Sequence, residues 1–360
     1  MTTPSAQSFL LSLQAQPNQR AAAPMRAFER TLVDRMRLLK APTAAIFFVS
    51  GAASAGPTLA ETVATRASGL RALVVPSPGV LTESGEVEGA PAVAALIWSG
   101  SKVALETADA LGTHKGRRLV FTTRPLLVTE HLKLGNGTSL GAGSTGDAIY
   151  AVENGLVTTA PIAALVVSGG GAPVVEEAPG CRVVAGPFKI SEVDRHTIVS
   201  LDDTPALDLL SKTMGGGKHG GMVVVAISSA SSKHPLFRPI KGIDPGRKAI
   251  VVDASLSRGD TLSFAIRDAA FAKAELAEAA RRAEQAALGS APRFAMFLSC
   301  AGRGRSLYRE PDVDVKILKK RFPKLPIAGM HASFEIVGDG GDEVALQQMS
   351  GLIALFRAPS

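Results

Sequence analysis

The spacing of apolar and polar positions predicts a chain that alternates between helices and buried strands. A first helix is predicted from residue 25, where apolar residues recur at helical spacing before the stop signal at Pro42: Phe28, Leu32, Met36 and Leu39. The run TAAIFFVSGAAS that follows is typical of a buried strand, and another helix is predicted over residues 59–67. Residues 1 to about 20, which are rich in Ser, Gln and Pro, are expected to form a flexible tail.

Between these elements and about residue 200 the pattern is one of short strands separated by turn signals, among them Asn136-Gly137 and Asn154-Gly155. The later part repeats this order. A short helix is predicted after Thr204 as N-cap with Pro205 in its first position. Strands are predicted at 222–227 and 249–254, the longest helix at about 267–288, and a last helix at 313–321.

The two halves of the chain resemble each other. The segment AIFFVSGA (45–52) is similar to AMFLSCAG (295–302), and about 30 residues after each comes an apolar strand that ends in a loop of small residues. We therefore predict a mixed α/β fold, built as two related halves with mixed β-sheets flanked by helices and a cleft between them. The predicted divisions are a tail and helix at 1–40, one α/β domain at 41–200 and another at 201–360.

Composition narrows the classes of function. The chain has 360 residues, enough to bury a large core in two domains. Its formal net charge is +7, but the basic residues are scattered, which is typical of a dispersed basic surface. Aromatic residues make up only 5%, so stacking platforms for nucleic acid are not expected.

Cysteine content and the absence of long apolar segments predict a cytoplasmic protein. Two cysteines cannot form a disulfide framework, which fits a reducing compartment. The N-terminal sequence lacks the basic and apolar regions of a signal peptide, and no segment approaches the roughly 20 apolar residues that a bilayer span requires.

Two glycine-rich segments superficially resemble phosphate-binding motifs. Gly141 to Gly146 match GxGxxG, but the Asn154-Gly155 turn leaves no room for the helix that this motif requires, so a hairpin is predicted instead. The run that begins at Gly215 has Lys212 and His219 where a P-loop needs a glycine and a hydroxyl residue. It is predicted to be a flexible loop.

Neither a metal nor a cofactor is predicted. With two cysteines and no histidine pair at metal-binding spacing, a structural zinc site is not expected. A catalytic triad stays open, because its members need not be adjacent in sequence. The histidines are His114, His131, His196, His219, His234 and His331.

The segment SCAGRGRSLY (299–308) is the best candidate for a catalytic or ligand-binding loop. A cysteine phosphatase loop needs an arginine six positions beyond the cysteine, and that position is Ser306, so this reading fails. A thiolate at Cys300 favoured by Arg303 and Arg305 stays open, as does a small buried hydrophobic residue without reactivity.

Several of these residues resemble motifs of the FIST family, in its FIST-C domain above all. In the adjoining FIST-N half, Glu86-Val87-Glu88, Trp98 and the Asn154-Gly155 hairpin are weaker similarities, and together the likeness covers about residues 40–357. The FIST-C motifs are Cys300-x-Gly302-Arg303-Gly304, Arg238-Pro239-x-x-Gly242-x-Asp244, Pro326-Ile327-Ala328-Gly329 with Glu335-Ile336, and Ser350. The chain departs from the family pattern at Phe334, His331 and Val337-Gly338-Asp339, which implies a pocket of different shape or ligand there.

The resemblance implies a stand-alone cytoplasmic sensor of a small molecule, an amino acid or another small carboxylate. Arg303 is expected to grip a carboxylate and Glu335 an ammonium group, with a structural role for each as the alternative. An enzyme with Cys300 as nucleophile is the less favoured reading, and a protein-interaction scaffold or homo-oligomer stays open. The predicted ligand-binding residues are Cys300, Gly302, Arg303, Gly304, Arg305, His331 and Glu335.

Overall fold

The computed structural model describes residues 5–15, 20, 22–51, 55–131, 139–168, 171–215, 221–229, 235–338 and 344–357. Within them strands and helices alternate along the chain, and mixed sheets are flanked by helices. The predicted mixed α/β class is therefore confirmed.

The helices are numbered along the chain, and the last one has the predicted bounds. They are α1 (Ala23–Arg37), α2 (Ala55–Arg66), α3 (Pro125–His131), α4 (Ala206–Met214), α5 (Ala269–Ala286), α6 (Gly304–Tyr308) and α7 (Val313–Arg321), with a short 3-10 helix at Ala108–Ala110. The predicted cap of α4 is wrong. Pro205 occupies the N-cap position, because Thr204 pairs with Leu201 in a short strand before the helix.

By its internal contacts the chain forms two compact units. The first comprises Met1–Ala178, Leu276–Leu346 and Gly351–Ser360, and the second comprises Pro179–Glu275 and Gln347–Ser350. These units follow spatial contacts, whereas the division predicted at residues 200 and 201 concerns sequence domains and stays a prediction.

Among the described residues, three six-stranded sheets lie in the first unit, apart from the terminal residues Pro179, Gln347 and Ser350 of three strands. In order, the first sheet is β1 (Ala6–Ser12), β6 (Ala92–Ser99), β2 (Pro42–Ser50), β3 (Arg71–Pro76), β10 (Ile149–Glu153) and β11 (Leu156–Ala160). The second sheet is β24 (Val344–Gln347), β23 (Glu335–Gly338), β9 (Ser139–Gly143), β8 (Arg117–Thr122), β12 (Ile162–Ser168) and β7 (Lys102–Thr107). The third sheet is β13 (Val174–Pro179), β25 (Ser350–Arg357), β21 (Pro292–Cys300), β22 (Ile327–Ala332), β4 (Gly79–Thr82) and β5 (Gly85–Glu88).

The second unit is built on one seven-stranded sheet. Its order is β14 (Cys181–Asp194), β20 (Thr261–Arg267), β17 (Val223–Ser228), β18 (Leu236–Asp244), β19 (Ala249–Val252), β15 (Thr197–Leu201) and β16 (Thr204–Pro205). An additional antiparallel pairing between β14 and β15 closes this sheet on itself, with Asp194 opposite Thr197 at the turn.

The expectation of a flexible tail over residues 1 to about 20 is wrong for its first part. Strand β1 pairs antiparallel with β6 along its whole length, from Ala6 opposite Trp98 to Ser12 opposite Ala92. The Ser and Gln content suggested disorder, but Phe9 packs among buried apolar residues and gives the strand a hydrophobic anchor.

The Asn154-Gly155 hairpin is confirmed, and with it the rejection of a dinucleotide-binding loop. Both turn residues have positive φ, 52° and 77°, as a two-residue hairpin turn requires. Gly141 lies within β9, where a Cβ atom would stand 1.7 Å from the carbonyl oxygen of Val120. This glycine therefore allows the close approach of β9 to β8. Residues 216–219 of the other glycine-rich run lie outside the described residues.

Strands β2 and β21 are buried on both faces, which explains their continuous apolar runs. On β21, Met296 faces a core shared with the first and second sheets, whereas Phe297 faces helices α5 and α7. Each strand has a parallel neighbour, β3 or β22, and an antiparallel one, β6 or β25. Strands β2 and β21 thus have the same arrangement of neighbours. The duplication of the sequence itself stays a prediction.

Candidate functional site

A row of residues in register crosses four strands of the third sheet. Glu88 on β5 lies opposite Gly79 on β4, Gly79 lies opposite His331 on β22, and His331 lies beside Ser299 on β21. Because residues in register on paired strands point to the same face, the side chains of this row share one side of the sheet.

This row interrupts an apolar surface. The neighbouring row on the same face contains Leu81, Phe297 and Ile353, which pack beneath α5 and α7. His331 and Ser299 lie near the carboxyl ends of the parallel strands β22 and β21, where α/β sheets commonly bind ligands. The polar row is therefore placed where the fold favours a site.

His331 is buried beside the Cys300 backbone, and no hydrogen bond of normal geometry reaches its ring from the part of the chain that the structure describes. The residue is 2% exposed, and neither ring nitrogen has a hydrogen-bond partner within the described residues. Gly79 makes room for the ring, since a Cβ atom there would stand 2.6 Å from Cδ2 of His331. Burial lowers the pKa of His331, against the opposing effects of the Glu88 and Asp314 carboxylates and of the Cys300 backbone, so the neutral imidazole is favoured.

The carboxylate of Glu86 faces this imidazole. Its Oε1 accepts a hydrogen bond from the Asp312 backbone N–H at 2.6 Å, and the Glu86 backbone N–H donates to Oδ1 of Asp312 at 2.7 Å. Its Oε2 lies 3.9 Å from Nε2 of His331 and has no hydrogen-bond partner among the described residues. Burial raises the pKa of Glu86 to about 7.

Glu88 completes the group. Its Oε1 accepts a hydrogen bond from the Arg305 backbone N–H at 2.9 Å. The loop approaches closely because Gly304, at φ 57°, carries no Cβ atom, which would stand 2.5 Å from that oxygen. One ligand atom each from Glu86, Glu88 and His331 lies within 4.8 Å of the others.

Beside this group lies a buried ion pair. Arg303 donates through Nε and Nη2 to the two carboxylate oxygens of Asp314, both at 3.0 Å, and the Tyr308 hydroxyl joins both residues at 2.7 Å. Burial lowers the pKa of Arg303, but the Asp314 carboxylate outweighs that effect and raises it. Burial raises the pKa of Tyr308. Arg303 therefore stays charged and bound to Asp314.

The predicted site residues are distributed unevenly around this group. Cys300 is buried at the end of β21, and its Sγ accepts a hydrogen bond from the Gly302 N–H at 3.4 Å. Glu335 begins β23 in the second sheet, fully buried, and its charge contributes to the raised pKa of Arg303. Arg305 contributes its backbone N–H, while its side chain is exposed. Arg303, Gly304 and His331 hold the positions described above.

Sequence reasoning missed the residues that contact the predicted site residues. Glu86 and Glu88 were noted only as part of a weak family similarity, and Asp314 and Tyr308 were not singled out. The two glutamates did carry a signal, since residues two apart on a strand share one face. Phe334, a departure from the family pattern, packs against β9 at Gly143, where a Cβ atom would stand 2.4 Å from its ring.

Comparison with known proteins places the loop after β21 and the strand β22 within one family domain. Residues 206–338 match the FIST C domain. The matched segment contains Cys300, Arg303, His331 and Glu335, and the FIST domain is associated with sensory and signalling roles.

Relatives extend over more of the chain. An uncharacterized protein of Mycobacterium bovis is 27% identical over 310 residues, which cover 75% of this chain and 79% of the relative. An uncharacterized protein of Mycobacterium tuberculosis is 30% identical over 189 residues, 49% of each chain. None of the helices in the described part of the chain has the length and apolar character needed to cross a membrane.

Proposed function

We propose that this chain is a cytoplasmic sensory protein that binds a small amino-acid-like ligand, with FIST-N and FIST-C domains derived from a duplicated α/β unit. The observation that carries the proposal is the pair His331 and Glu86. Both side chains are at most 3% exposed, and each has polar atoms without a hydrogen-bond partner in the described residues. Buried polar atoms in native proteins ordinarily have partners, so a bound group is the natural complement.

The charges around this pair revise the expected roles of the family residues. Asp314 accepts from Nε and Nη2 of Arg303 and the Ala178 carbonyl accepts from Nη1, so we assign Arg303 to support of the loop. Glu86 and Glu88 supply negative charge suited to the ammonium group of a ligand, or to a bound cation that would in turn hold the ligand's carboxylate. Cys300, Gly302 and Glu335 then border the ligand, and the signal passes to a protein partner or a second copy of the chain.

Calorimetric titration of the purified chain with amino acids and small carboxylates tests this function. We expect at least one ligand to bind, and Glu88→Gln to weaken it by roughly tenfold or more through loss of a charged contact. Glu153→Gln, a partly exposed glutamate on β10 paired with Arg71, is the matched control and should bind as the wild type does. Failure of every compound to bind a folded wild-type protein contradicts the proposal.

A second candidate is nucleophilic chemistry at Cys300, favoured by the Gly302 N–H that points at its sulfur. A hydrogen bond to sulfur stabilises the thiolate form. Alkylation of the protein by iodoacetamide across pH measures this, with Cys300→Ser as the reference that isolates Cys181. A rate at neutral pH no faster than that of a free thiol removes the enzymatic candidate.

A further inference from the structure

Two carboxylates and one imidazole converge beneath the loop that follows β21. Imidazole nitrogen with carboxylate oxygens is a ligand set typical of zinc, manganese and iron in proteins. We propose that Glu86, Glu88 and His331 bind one divalent transition-metal ion. This inference deepens the proposed function and rests on it for the location of the site, but its test is independent.

The first support is the unused capacity of His331. A buried histidine normally donates from one ring nitrogen and accepts at the other, and both nitrogens here are without hydrogen-bond partners in the described residues. The facing Oε2 of Glu86 is equally without a partner there, 3.9 Å away. The 3.9 Å between Nε2 of His331 and Oε2 of Glu86 is too long for a direct hydrogen bond and leaves room for a third group between them.

The second support is charge. Glu86, Glu88 and Asp314 bring three carboxyl groups to the same region, and Arg303 is already paired with Asp314. A bridging water molecule could satisfy hydrogen bonds but would bring no positive charge to the two glutamate side chains. A divalent cation neutralises both of them, which removes the main cost of burying carboxylates together.

The third support is the way the ligand side chains are held. Backbone N–H groups of Asp312 and Arg305 each bind one carboxylate oxygen, of Glu86 and Glu88 respectively. Outer contacts of this kind orient metal-binding carboxylates in proteins. Gly79 fixes the position of the imidazole from the other side, because its missing Cβ leaves space for the ring and for little else.

The distances are compatible with coordination after small side-chain rotations. Ligand atoms about 2.0–2.2 Å from an ion stand roughly 3–4 Å from one another. The three atoms here lie within 4.8 Å. Three protein ligands also leave a coordination position open, at which the carboxylate of a small ligand binds in metal sites that carry function.

Metal binding to the full chain tests the inference. Protein treated with chelator and dialysed is titrated with Zn²⁺, Mn²⁺ and Co²⁺ by calorimetry, and the Co²⁺ form is examined by visible absorption. We expect one ion per chain and a Co²⁺ spectrum of nitrogen and oxygen ligands. Glu86→Gln and His331→Gln are expected to weaken binding at least about 100-fold, as loss of a ligand does more than loss of an outer contact.

Controls separate coordination from misfolding and from surface binding. Glu86→Gln keeps an oxygen that accepts from Asp312, so it preserves the local fold, and circular dichroism verifies each variant. Glu153→Gln, away from the cluster, should bind the ion unchanged. Absence of ion binding to folded wild-type protein overturns the inference, and so does undiminished binding by a folded Glu86→Gln variant.

The same protein distinguishes the two proposals. Amino acids and small carboxylates are titrated into the chelator-treated form and into the Zn²⁺-loaded form. An ion that binds while every small ligand fails supports the metal site and contradicts the proposed ligand. A small ligand that binds the chelator-treated protein, when that protein binds none of the three ions, supports the sensor and overturns the metal site.

Discussion

Arg303 and Asp314 form a two-pronged ion pair in which both side chains are 1% exposed. The arginine follows strand β21 and the aspartate lies in the first turn of α7, so the pair fastens the glycine-rich loop to the helix that comes after it. The Ala178 carbonyl accepts a further hydrogen bond from the guanidinium at 3.1 Å. An arginine at this position in the sequence suggests ligand binding, but its contacts are those of a structural residue.

Asp314→Ala is therefore expected to destabilise the protein by about 3–5 kcal/mol, because it leaves a buried guanidinium without its counter-ion. Thermal and urea unfolding, followed by the fluorescence of Trp98, measure the change. The double variant Arg303→Met/Asp314→Leu removes both charges and should recover much of the loss. Glu153→Gln, which breaks a half-exposed pair, should cost under about 1 kcal/mol. Equal effects of the buried and exposed substitutions would contradict this account.

The buried pair Glu106 and Arg118 makes stability depend on pH. Burial alone would raise the pKa of Glu106, but hydrogen bonds from the Gly112 N–H, the Arg118 side chain and the His114 N–H lower it below its ordinary value of 4.5. A lowered folded-state pKa means that this stabilisation is complete above pH 4.5. It is lost as pH falls through the folded-state value.

Glu106→Gln should accordingly lower the unfolding temperature at pH 7, at a cost of roughly 1–3 kcal/mol from the lost charged hydrogen bonds. Below pH 4.5 the difference between variant and wild type should shrink steadily. Unfolding temperatures measured from pH 7 to pH 3 test this. A difference that stays constant over that range, or grows toward acid, rejects the assignment.

Gly79→Ala tests the packing of the cluster without touching a polar group. The new methyl group would stand 2.6 Å from Cδ2 of His331, so the ring must move. We expect Zn²⁺ binding to weaken by about 10-fold or more and stability to fall by about 1–3 kcal/mol. Gly69→Ala is the matched control, since no described atom lies within 4 Å of its Cβ position. Unchanged Zn²⁺ affinity in Gly79→Ala would show that the ring position does not matter for binding.

Local patterns were sufficient for the elements that depend on neighbours in the sequence. Helix α7 has the predicted bounds, and the turn at Asn154 and Gly155 is set by the positive φ angles that these residues adopt readily. The β1 strand was missed because its apolar run around Phe9 is short and lies within a Ser- and Gln-rich segment. Its pairing with β6 depends on residues far along the chain.

The candidate site, like the pairing of β1 with β6, depends on residues that are far apart in the sequence. The contact between Glu86 and His331 depends on the pairing of β4 with β5 and of β4 with β22, and no local periodicity encodes that register. Arg303 was recognised from its motif, but its role depends on a partner in the next helix. Two residues with φ near 60°, Arg309 and Asp312, redirect the chain between the two. Sequence thus identified the loop, and only the three-dimensional pairing reveals what the loop encloses.

Because the first unit is discontinuous in sequence, its cluster can form only late in synthesis. The first unit is interrupted at Ala178 and resumes at Leu276. During synthesis, β4 and β5 leave the ribosome long before β21 and β22, the strands that hold Ser299 and His331. Glu86 and Glu88 therefore cannot contact the imidazole of His331 until nearly the whole chain has emerged. Release at residue 275 would give a product with the carboxylates and no cluster, so the site can mature only after translation of the final strands.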